Sequence, residues 1–263
     1  MAERLPVIRL QPERVIDWGA FIGASRALLA TTYPAAHLVA VEPDAGRREA
    51  SAAAFAPPWW SPRRWTGGGA PVLLPGEVGA AQCELLWANM SLHAAPDPLA
   101  VMRQWHRAVA AGGFLMFSTF GPGTLANLSA LYAGRGWPPP LAPFVDMHDL
   151  GDMLLEAGFA EPVMDQETLT LTWPSAEALL VELRQLGGNV DHGRFAGLRT
   201  PRWRRQLVMH LQALAEATGR LPMRFEIVYG HAFRPALRAK VAAESALPLD
   251  ELRAQLKSGR RRI

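Results

Sequence analysis

Two acidic residues and two glycines near the start of the chain have the types and spacing to hold a ligand that carries a ribose. Asp17 ends a short apolar run, and Gly19 and Gly23 follow it, before a helix-compatible stretch. Glycines let a ligand approach the backbone closely, and the N-terminus of the next helix offers free N–H groups. About twenty residues further on, a second apolar run ends at Glu42, whose carboxylate could accept hydrogen bonds from ribose hydroxyls. The pattern favours the opening unit of a nucleotide-binding α/β sheet, although an ordinary strand and glycine turn would share it.

Length and composition restrict the class of protein. The chain has 263 residues, 49% of them hydrophobic, which predicts one globular α/β domain with an insertion. No stretch of roughly eighteen apolar residues and no basic-then-apolar leader occurs, so we expect a cytoplasmic protein without a membrane partner. The single cysteine, Cys83, forbids an internal disulfide. A net charge of +3 is not by itself a signature of nucleic-acid binding.

Strand and helix patterns alternate along most of the chain. Apolar runs that end at Asp17, Glu42 and Asn89 predict the first, second and fourth strands, and we place a short third strand at residues 71–74. Helices are predicted to begin at Asp44, Asp97 and Asp146, because aspartate is a favoured N-cap. The pair of glycines at 112–113 is predicted to end the second of these helices, before a fifth strand at residues 114–120.

The end of the chain predicts a different arrangement. Residues 167–173 alternate threonine and leucine, and residues 224–233 read RFEIVYGHAF, so both are expected to be strands. Two helices are predicted between them, around residues 176–186 and 201–217. We therefore expect one domain over residues 1–233, with a helical insert at about 174–221, and a basic tail over residues 234–263.

This order of elements resembles the seven-stranded Rossmann-like α/β sheet of class I methyltransferases. A dehydrogenase would instead continue with a sixth parallel strand. Ligands of such sheets bind at the carboxyl ends of the strands, where the strand order reverses. Asn89 should therefore lie near Glu42 and the turn that contains Gly19 and Gly23.

From residue 112 onward the sequence resembles one family, the malonyl-acyl-carrier-protein O-methyltransferases of early biotin synthesis. The matching segments are GGFLMFSTFGPGTL (112–125), FVDMHDLGDMLLEAGFAEPVMDQETLTLTW (144–173), LRQLGGN (183–189), GRFAGLR (193–199) and RFEIVYGHAF (224–233). WANMSLHAAPDP (87–98) also fits the family. These segments are more specific than the glycine turn.

The resemblance implies transfer of a methyl group from S-adenosylmethionine (SAM) to the free carboxylate of a malonyl thioester on an acyl carrier protein. SAM would be bound by Asp17, Gly19, Gly23, Glu42 and Asn89. The acceptor carboxylate is already ionised at neutral pH, so we name no general base and no catalytic residue. Catalysis would come from in-line positioning and from exclusion of water, with the insert as a lid.

The N-terminal half departs from the family pattern. Phe21 stands where the methyltransferase turn D-x-G-x-G-x-G has its middle glycine, and residues 65–69 hold no acid for the adenine amino group. The helical leader that precedes the first strand in the family is not identifiable in residues 1–14. If SAM binds, Phe21 should pack under the turn against apolar neighbours and leave a continuous cleft from Glu42 to Asn89.

Two other functions stay open, and the departures favour the first of them. A methyltransferase-like protein that has lost SAM could serve as a carrier-protein-binding or scaffold subunit. A class I methyltransferase for another carboxylate or small molecule would keep the sheet and change the insert. A nucleotide oxidoreductase is disfavoured by the late pair of strands.

Five arginines lie within twelve residues of the insert. We expect Arg194 and Arg199 to bind the substrate carboxylate, because both lie in the segment that matches the family. We expect Arg202, Arg204 and Arg205 to bind the acidic carrier protein. A solvated helix start is the simpler interpretation, but arginines at a helix N-terminus oppose the macrodipole, which favours acids there.

Other polar residues give no site. His93 has no partner at metal-ligand spacing, so we interpret it as a loop or core histidine and predict no metal site. Ser118 and Ser129 lie in no nucleophile-elbow context, so hydrolysis is unsupported.

Overall fold

A mixed sheet of seven strands carries the fold within the described part of the chain. The structure is a computed structural model that describes residues 1–56, 59–60, 71–187, 189–215 and 218–236. Its strands are β1 (Arg14–Trp18), β2 (His37–Val41), β3 (Val72–Leu73), β4 (Cys83–Ala88), β5 (Val109–Phe120), β6 (Ala160–Trp173) and β7 (Leu221–Phe233). They lie in the order β3-β2-β1-β4-β5-β7-β6.

Strand direction confirms the fold expected from the sequence. Strands β1 to β5 pair in parallel, whereas β7 is antiparallel to both β5 and β6. The pairing of β5 with β7 ends at Phe120 and Ile227, but that of β6 with β7 continues to Trp173 and Leu221. The last two strands therefore extend beyond the rest of the sheet and carry the insert at their far end.

Most of the helices connect the strands as the periodicity predicts. They are α1 (Ala20–Gly23), α2 (Arg26–Thr32), α3 (Ala45–Phe55), α4 (Pro98–Ala108), α5 (Ala126–Gly134), α6 (Met147–Glu156), α7 (Ala176–Gln185) and α8 (Pro201–Gln212). Short 3-10 turns lie at Ala2–Val7, Pro75–Glu77 and Leu92–Ala94. Helices α1 and α5 and the three 3-10 turns are not predicted from the sequence.

None of the described helices has the length and apolar character that crossing a bilayer requires.

The predicted N-caps are confirmed. The carboxylates of Asp44, Asp97 and Asp146 each accept a hydrogen bond from a main-chain N–H in the first turn of the helix that follows. Each cap satisfies a donor that the helix itself leaves unpaired.

The predicted end of the second of these helices is wrong. Helix α4 ends at Ala108, and the two glycines lie inside β5. A Cβ at Gly113 would lie 2.7 Å from the carbonyl oxygen of Glu84. The glycine is therefore needed for close pairing with β4, not for a helix stop.

Two hydrophobic cores cover the two faces of the sheet, and a third joins the insert to it. Consecutive residues of β4 show the alternation, since Leu85 and Leu86 are fully buried in different cores. The third, which we name the insert core, contains Leu125, Leu128, Tyr132, Trp173, Ala176, Leu179, Leu207, Leu211, Leu221, Met223, Phe225 and Ile227. Met90, which follows β4, and Phe120, which ends β5, pack against the insert core. The insert therefore lies beside the carboxyl edge of the sheet.

The predicted basic tail lies mostly outside the described residues. Its first residue, Arg234, is held by hydrogen bonds from its guanidinium to main-chain carbonyl oxygens at the junction of α4 and β5.

Candidate active site

The turn after β1 is compact and glycine-dependent. Gly19 has φ +75°, and its N–H donates a 2.8 Å hydrogen bond to the carbonyl oxygen of Val41 in β2. A Cβ at Gly19 would lie 2.8 Å from Cβ of Ser91, in the loop after β4. The missing side chain thus allows three strand ends to meet at one point.

Glu42 lies beneath this turn. Its Oε1 accepts hydrogen bonds from the N–H of Phe21, at 2.7 Å, and from Oγ of Ser51, at 2.6 Å. Its Oε2 is buried, and no described residue provides a hydrogen-bond partner for it. Since Glu42 is 0% exposed, the turn covers the carboxylate that the sequence analysis assigned to a ribose.

Asp17 is the second buried acid at this edge. The side chain is 4% exposed, and neither carboxylate oxygen has a hydrogen-bond partner among the described residues. The pKa of Asp17 is raised to about 7, chiefly by burial and secondly by the charge of Glu42, while Arg26 opposes the shift. Unpaired buried oxygens are costly, so this pair forms a set of acceptors suited to a ligand with hydroxyl groups or positive charge.

Asn89 fastens the turn to the sheet. Its Nδ2 donates to the carbonyl oxygen of Gly23 at 2.9 Å, and its Oδ1 accepts from Oγ of Ser118 at 2.7 Å. Oγ of Ser25, which accepts from the indole N–H of Trp87, donates to the same carbonyl oxygen of Gly23. The convergence of Asn89 with the glycine turn is as predicted, but in this structure its amide positions the turn.

The prediction for Phe21 is wrong. The ring is 50% exposed and does not pack under the turn. The buried residues of α1 are Ala20 and Gly23, three positions apart, so Phe21 and Ile22 necessarily face outward. Phe21 therefore replaces the middle glycine of the turn, but its ring does not lie beneath the turn.

Arg199 occupies an aromatic stack in the insert. Its guanidinium carbon lies 3.9 Å from the ring centroid of Phe195 and 4.5 Å from that of Trp203. The indole of Trp203 in turn lies 5.3 Å from that of Trp137 and 6.2 Å from the ring of Tyr132. Aromatic faces leave the in-plane N–H groups of a guanidinium available to a planar anion.

The other four arginines of residues 194–205 are exposed to solvent. Arg202, Arg204 and Arg205 are exposed on α8, where the hydroxyl of Thr200 caps the helix. Arg194 is also exposed, in the loop that joins α7 to α8. The structure thus separates Arg199 from the four arginines with which the sequence grouped it.

Two serine hydroxyls that hydrogen-bond the predicted site residues could not be identified from the sequence. Ser51 and Ser118 hold Glu42 and Asn89, but each serine lies within an ordinary helix or strand pattern. Only the three-dimensional pairing of distant segments reveals them.

The seven-stranded sheet, with its order and its antiparallel last strand pair, defines the fold of a class I methyltransferase. Residues 2–161 match a family described as a methyltransferase domain. A solved structure of a Bacillus halodurans methyltransferase is similar, with TM-score 0.58 and 14% identity, over 89% of this chain and 98% of that one. Phosphoethanolamine N-methyltransferase 2 of Haemonchus contortus, solved with S-adenosylhomocysteine, has TM-score 0.50 and 12% identity, over 89% of this chain and 51% of that chain. These two likenesses support the fold alone.

The sequence relatives are more specific. Malonyl-[acyl-carrier protein] O-methyltransferase of Gallionella capsiferriformans is 37% identical over 244 residues, which are 90% of this chain and 82% of the relative. The enzyme of that name from Laribacter hongkongensis is 35% identical, over 91% of this chain and 82% of the relative. The chain belongs to the malonyl-[acyl-carrier protein] O-methyltransferase family.

Proposed function

We propose that this protein transfers a methyl group from SAM to the free carboxylate of malonyl-acyl carrier protein, early in biotin synthesis in the cytoplasm. Family membership over nine tenths of the chain supports the reaction. The observation in the structure that carries the proposal is the pair of buried acids, Asp17 and Glu42, with unpaired oxygens at the ligand-binding edge of the sheet.

The residues at this edge fit SAM. Glu42 and Asp17 offer unpaired acceptor oxygens to the ribose hydroxyls and to positive charge, and Asn89 holds the glycine turn beside them. SAM supplies an electrophilic methyl group on a positively charged sulfonium. Because the N–H of Phe21 occupies one oxygen of Glu42, the turn between Gly19 and Gly23 must move before a ribose can reach that acid.

The substrate carboxylate requires a cation and not a base. Arg199 is the better candidate of the two proposed, because contacts with the rings of Phe195 and Trp203 hold its guanidinium, whereas Arg194 is exposed. A fixed guanidinium fork binds both oxygens of a carboxylate and orients one of them for attack. The insert, acting as a lid, would exclude water from the reacting groups.

The partner surface would be α8. Arg202, Arg204 and Arg205 are exposed there, and acyl carrier proteins are acidic. Exposed charges steer a charged partner mainly through its rate of association. The same surface could attract other polyanions, but the net charge of +3 gives no reason to propose a nucleic acid, and we propose no membrane partner.

Two measurements on the purified protein test this function. Calorimetry with S-adenosylhomocysteine should show binding, and mass spectrometry should show one added methyl group on malonyl-carrier protein after incubation with SAM. Carrier-protein binding without S-adenosylhomocysteine binding would overturn the enzyme and support the scaffold alternative. Methylation of other carboxylates, but not of the malonyl thioester, would support a different small-molecule substrate.

A further inference from the structure

A small pocket opens beside the proposed site, between the loop after β4 and the end of β5. Its walls include His93, Thr119, Phe120, Phe144 and Leu150, and its volume is about 60 Å³. The imidazole of His93 lies 4.5 Å from the ring centroid of Phe120 and 6.2 Å from that of Phe144. The lining side chains are therefore mostly apolar or aromatic, and the polar ones are His93 and Thr119.

The imidazole of His93, which lines this pocket, has a polar atom without a partner. Its Nδ1 is buried, and no hydrogen-bond partner for it lies among the residues that the structure describes. Burial lowers the pKa of His93 to about 4, so the imidazole is uncharged at neutral pH. A neutral imidazole carries one N–H donor and one acceptor nitrogen. A buried polar group without a partner is unfavourable, and a bound ligand could supply that partner.

The position of His93 relates the pocket to methyl transfer. It lies two residues after Ser91, which contacts Gly19, and four residues after Asn89, which holds Gly23. A ligand in the pocket would therefore contact the same loop that packs against the turn covering Glu42. The lining residues carry no charge, so an ionised carboxylate would be buried there without a partner, whereas an uncharged carbonyl group would need only a hydrogen-bond donor.

We propose that His93 donates a hydrogen bond to the thioester carbonyl oxygen of the malonyl substrate. The inference rests on the proposed function and assigns the two ends of the malonyl group to different partners. The carbonyl enters the uncharged pocket at His93, and the carboxylate is left for a cation such as Arg199. His93 thereby distinguishes an acyl thioester from an acceptor that has a carboxylate alone.

A matched pair of acceptors tests this role. Malonyl-CoA contains the carbonyl, and the thioether carboxyethyl-CoA has a methylene in its place at the same distance from the carboxylate. Binding of both is measured by calorimetry in the presence of S-adenosylhomocysteine, for wild type, His93→Phe and His93→Gln. We expect His93→Phe to weaken the binding of malonyl-CoA about tenfold, or about 1.4 kcal/mol, and to leave the affinity for the thioether unchanged. His93→Gln keeps an N–H donor and should restore part of the loss.

Controls separate this role from a structural one. Phe144→Leu alters packing against the imidazole without removing a donor, so it should affect both acceptors equally. Equal weakening of both acceptors by His93→Phe, or no weakening of malonyl-CoA, would overturn the proposal. If wild type failed to methylate any malonyl thioester, the proposed function would fail, while the binding difference between the two acceptors would still decide the role of His93.

Discussion

The carboxyl edge of the sheet and the helical insert differ in the type of ionisable group that they carry and in its exposure: the edge has buried acids, and the insert has exposed arginines. At the edge, Asp17 and Glu42 are buried, and three of their four oxygens lack a hydrogen-bond partner among the described residues. On the insert, Arg202, Arg204 and Arg205 are exposed to solvent. Burial makes a charge sensitive to every neighbour, whereas exposure leaves it screened by water and salt.

The difference suggests a division of roles. Buried acids at the ends of parallel strands are fixed by the fold, and so they suit a ligand that is the same in every reaction cycle. Exposed arginines on one helix can adapt to a protein surface, and each contributes little alone. Arg199 is intermediate, since it belongs to the insert but is held by Phe195 and Trp203. Single substitutions should therefore have large effects at the edge and at Arg199, and small effects on the exposed face of α8.

The largest effect is expected at Arg199. Arg199→Ala should lower kcat/KM for malonyl-CoA. The loss of transition-state stabilisation should be about 2–5 kcal/mol, because an ionised carboxylate would lose its bidentate partner. Arg199→Lys should recover little, since an ammonium group lacks the planar fork. Steady-state kinetics measures the loss, and Arg184→Ala, an exposed arginine on α7, is the control. Unchanged kinetics for Arg199→Ala would remove this residue from the substrate site and return the assignment to Arg194.

Glu42→Gln should weaken S-adenosylhomocysteine binding about 100-fold, or about 3 kcal/mol, because hydrogen bonds to a charged acceptor contribute about 1.5–3 kcal/mol each. The substitution keeps the side-chain size, so the thermal unfolding midpoint should not fall with the affinity. Calorimetry measures the affinity, and Glu49→Gln, an exposed glutamate on α3, is the control. Equal affinities for wild type and Glu42→Gln would show that the covered carboxylate only holds the turn.

Asp17 should make stability depend on pH. Its pKa is raised from 3.8 to about 7 in the folded protein, so the folded state binds more protons than the unfolded state between those values. Its stabilising contribution is complete below pH 3.8 and is lost as the pH rises through about 7. The free energy of unfolding should therefore fall by about 2–3 kcal/mol between pH 5 and pH 8 because of this residue.

Urea unfolding at several pH values measures that slope. Asp17→Asn removes the titrating group and should flatten the curve, whereas Asp152→Asn, an exposed acid on α6, should not. An unchanged slope in Asp17→Asn would mean that another group causes the dependence. The affinity of Asp17→Asn for S-adenosylhomocysteine then shows whether the carboxylate also binds the ligand.

The exposed arginines should act together and weakly. Changing Arg202, Arg204 and Arg205 to alanine should weaken binding to malonyl-carrier protein about tenfold at low salt and flatten its salt dependence. Kinetics with malonyl-CoA should change less, because this acceptor carries no carrier protein. Surface plasmon resonance at several salt concentrations measures the binding. Equal losses with both acceptors would contradict a docking role and indicate a folding defect.

The sequence predicted the fold better than the site, and for a physical reason. Strand and helix periodicity is a local property, so all seven strands and the caps at Asp44, Asp97 and Asp146 could be predicted. Contacts between distant segments are not local. The hydrogen bond from Phe21 to Glu42 and the bond from Ser118 to Asn89 depend on where the ends of four separate strands meet.

Side-chain direction was the second limit. Arg199 and Arg202 are close in sequence, but one is stacked on aromatic rings and the other faces solvent. The stack depends on Tyr132 and Trp137, which belong to α5 and the segment after it, an element that the sequence analysis did not predict. His93 was interpreted as a loop or core histidine, and only its unpaired nitrogen beside a cavity distinguishes it.

Phe21 should have the smallest effect, although the sequence marked it as the main obstacle to SAM binding. The ring is half exposed, and its contact with the site is made by the main-chain N–H, which glycine also has. Phe21→Gly should therefore change S-adenosylhomocysteine affinity less than about threefold and reduce stability by about 1 kcal/mol through the lower helix propensity of glycine. Ile22→Gly is the matched control, because Ile22 lies in the same turn with 51% exposure. If calorimetry showed a large gain of affinity in Phe21→Gly alone, the ring would have to enter the cleft in solution. The comparison of the sheet edge with the insert would then change, because ligand binding at the edge would be controlled by a mobile side chain and not by the fixed pair of buried acids.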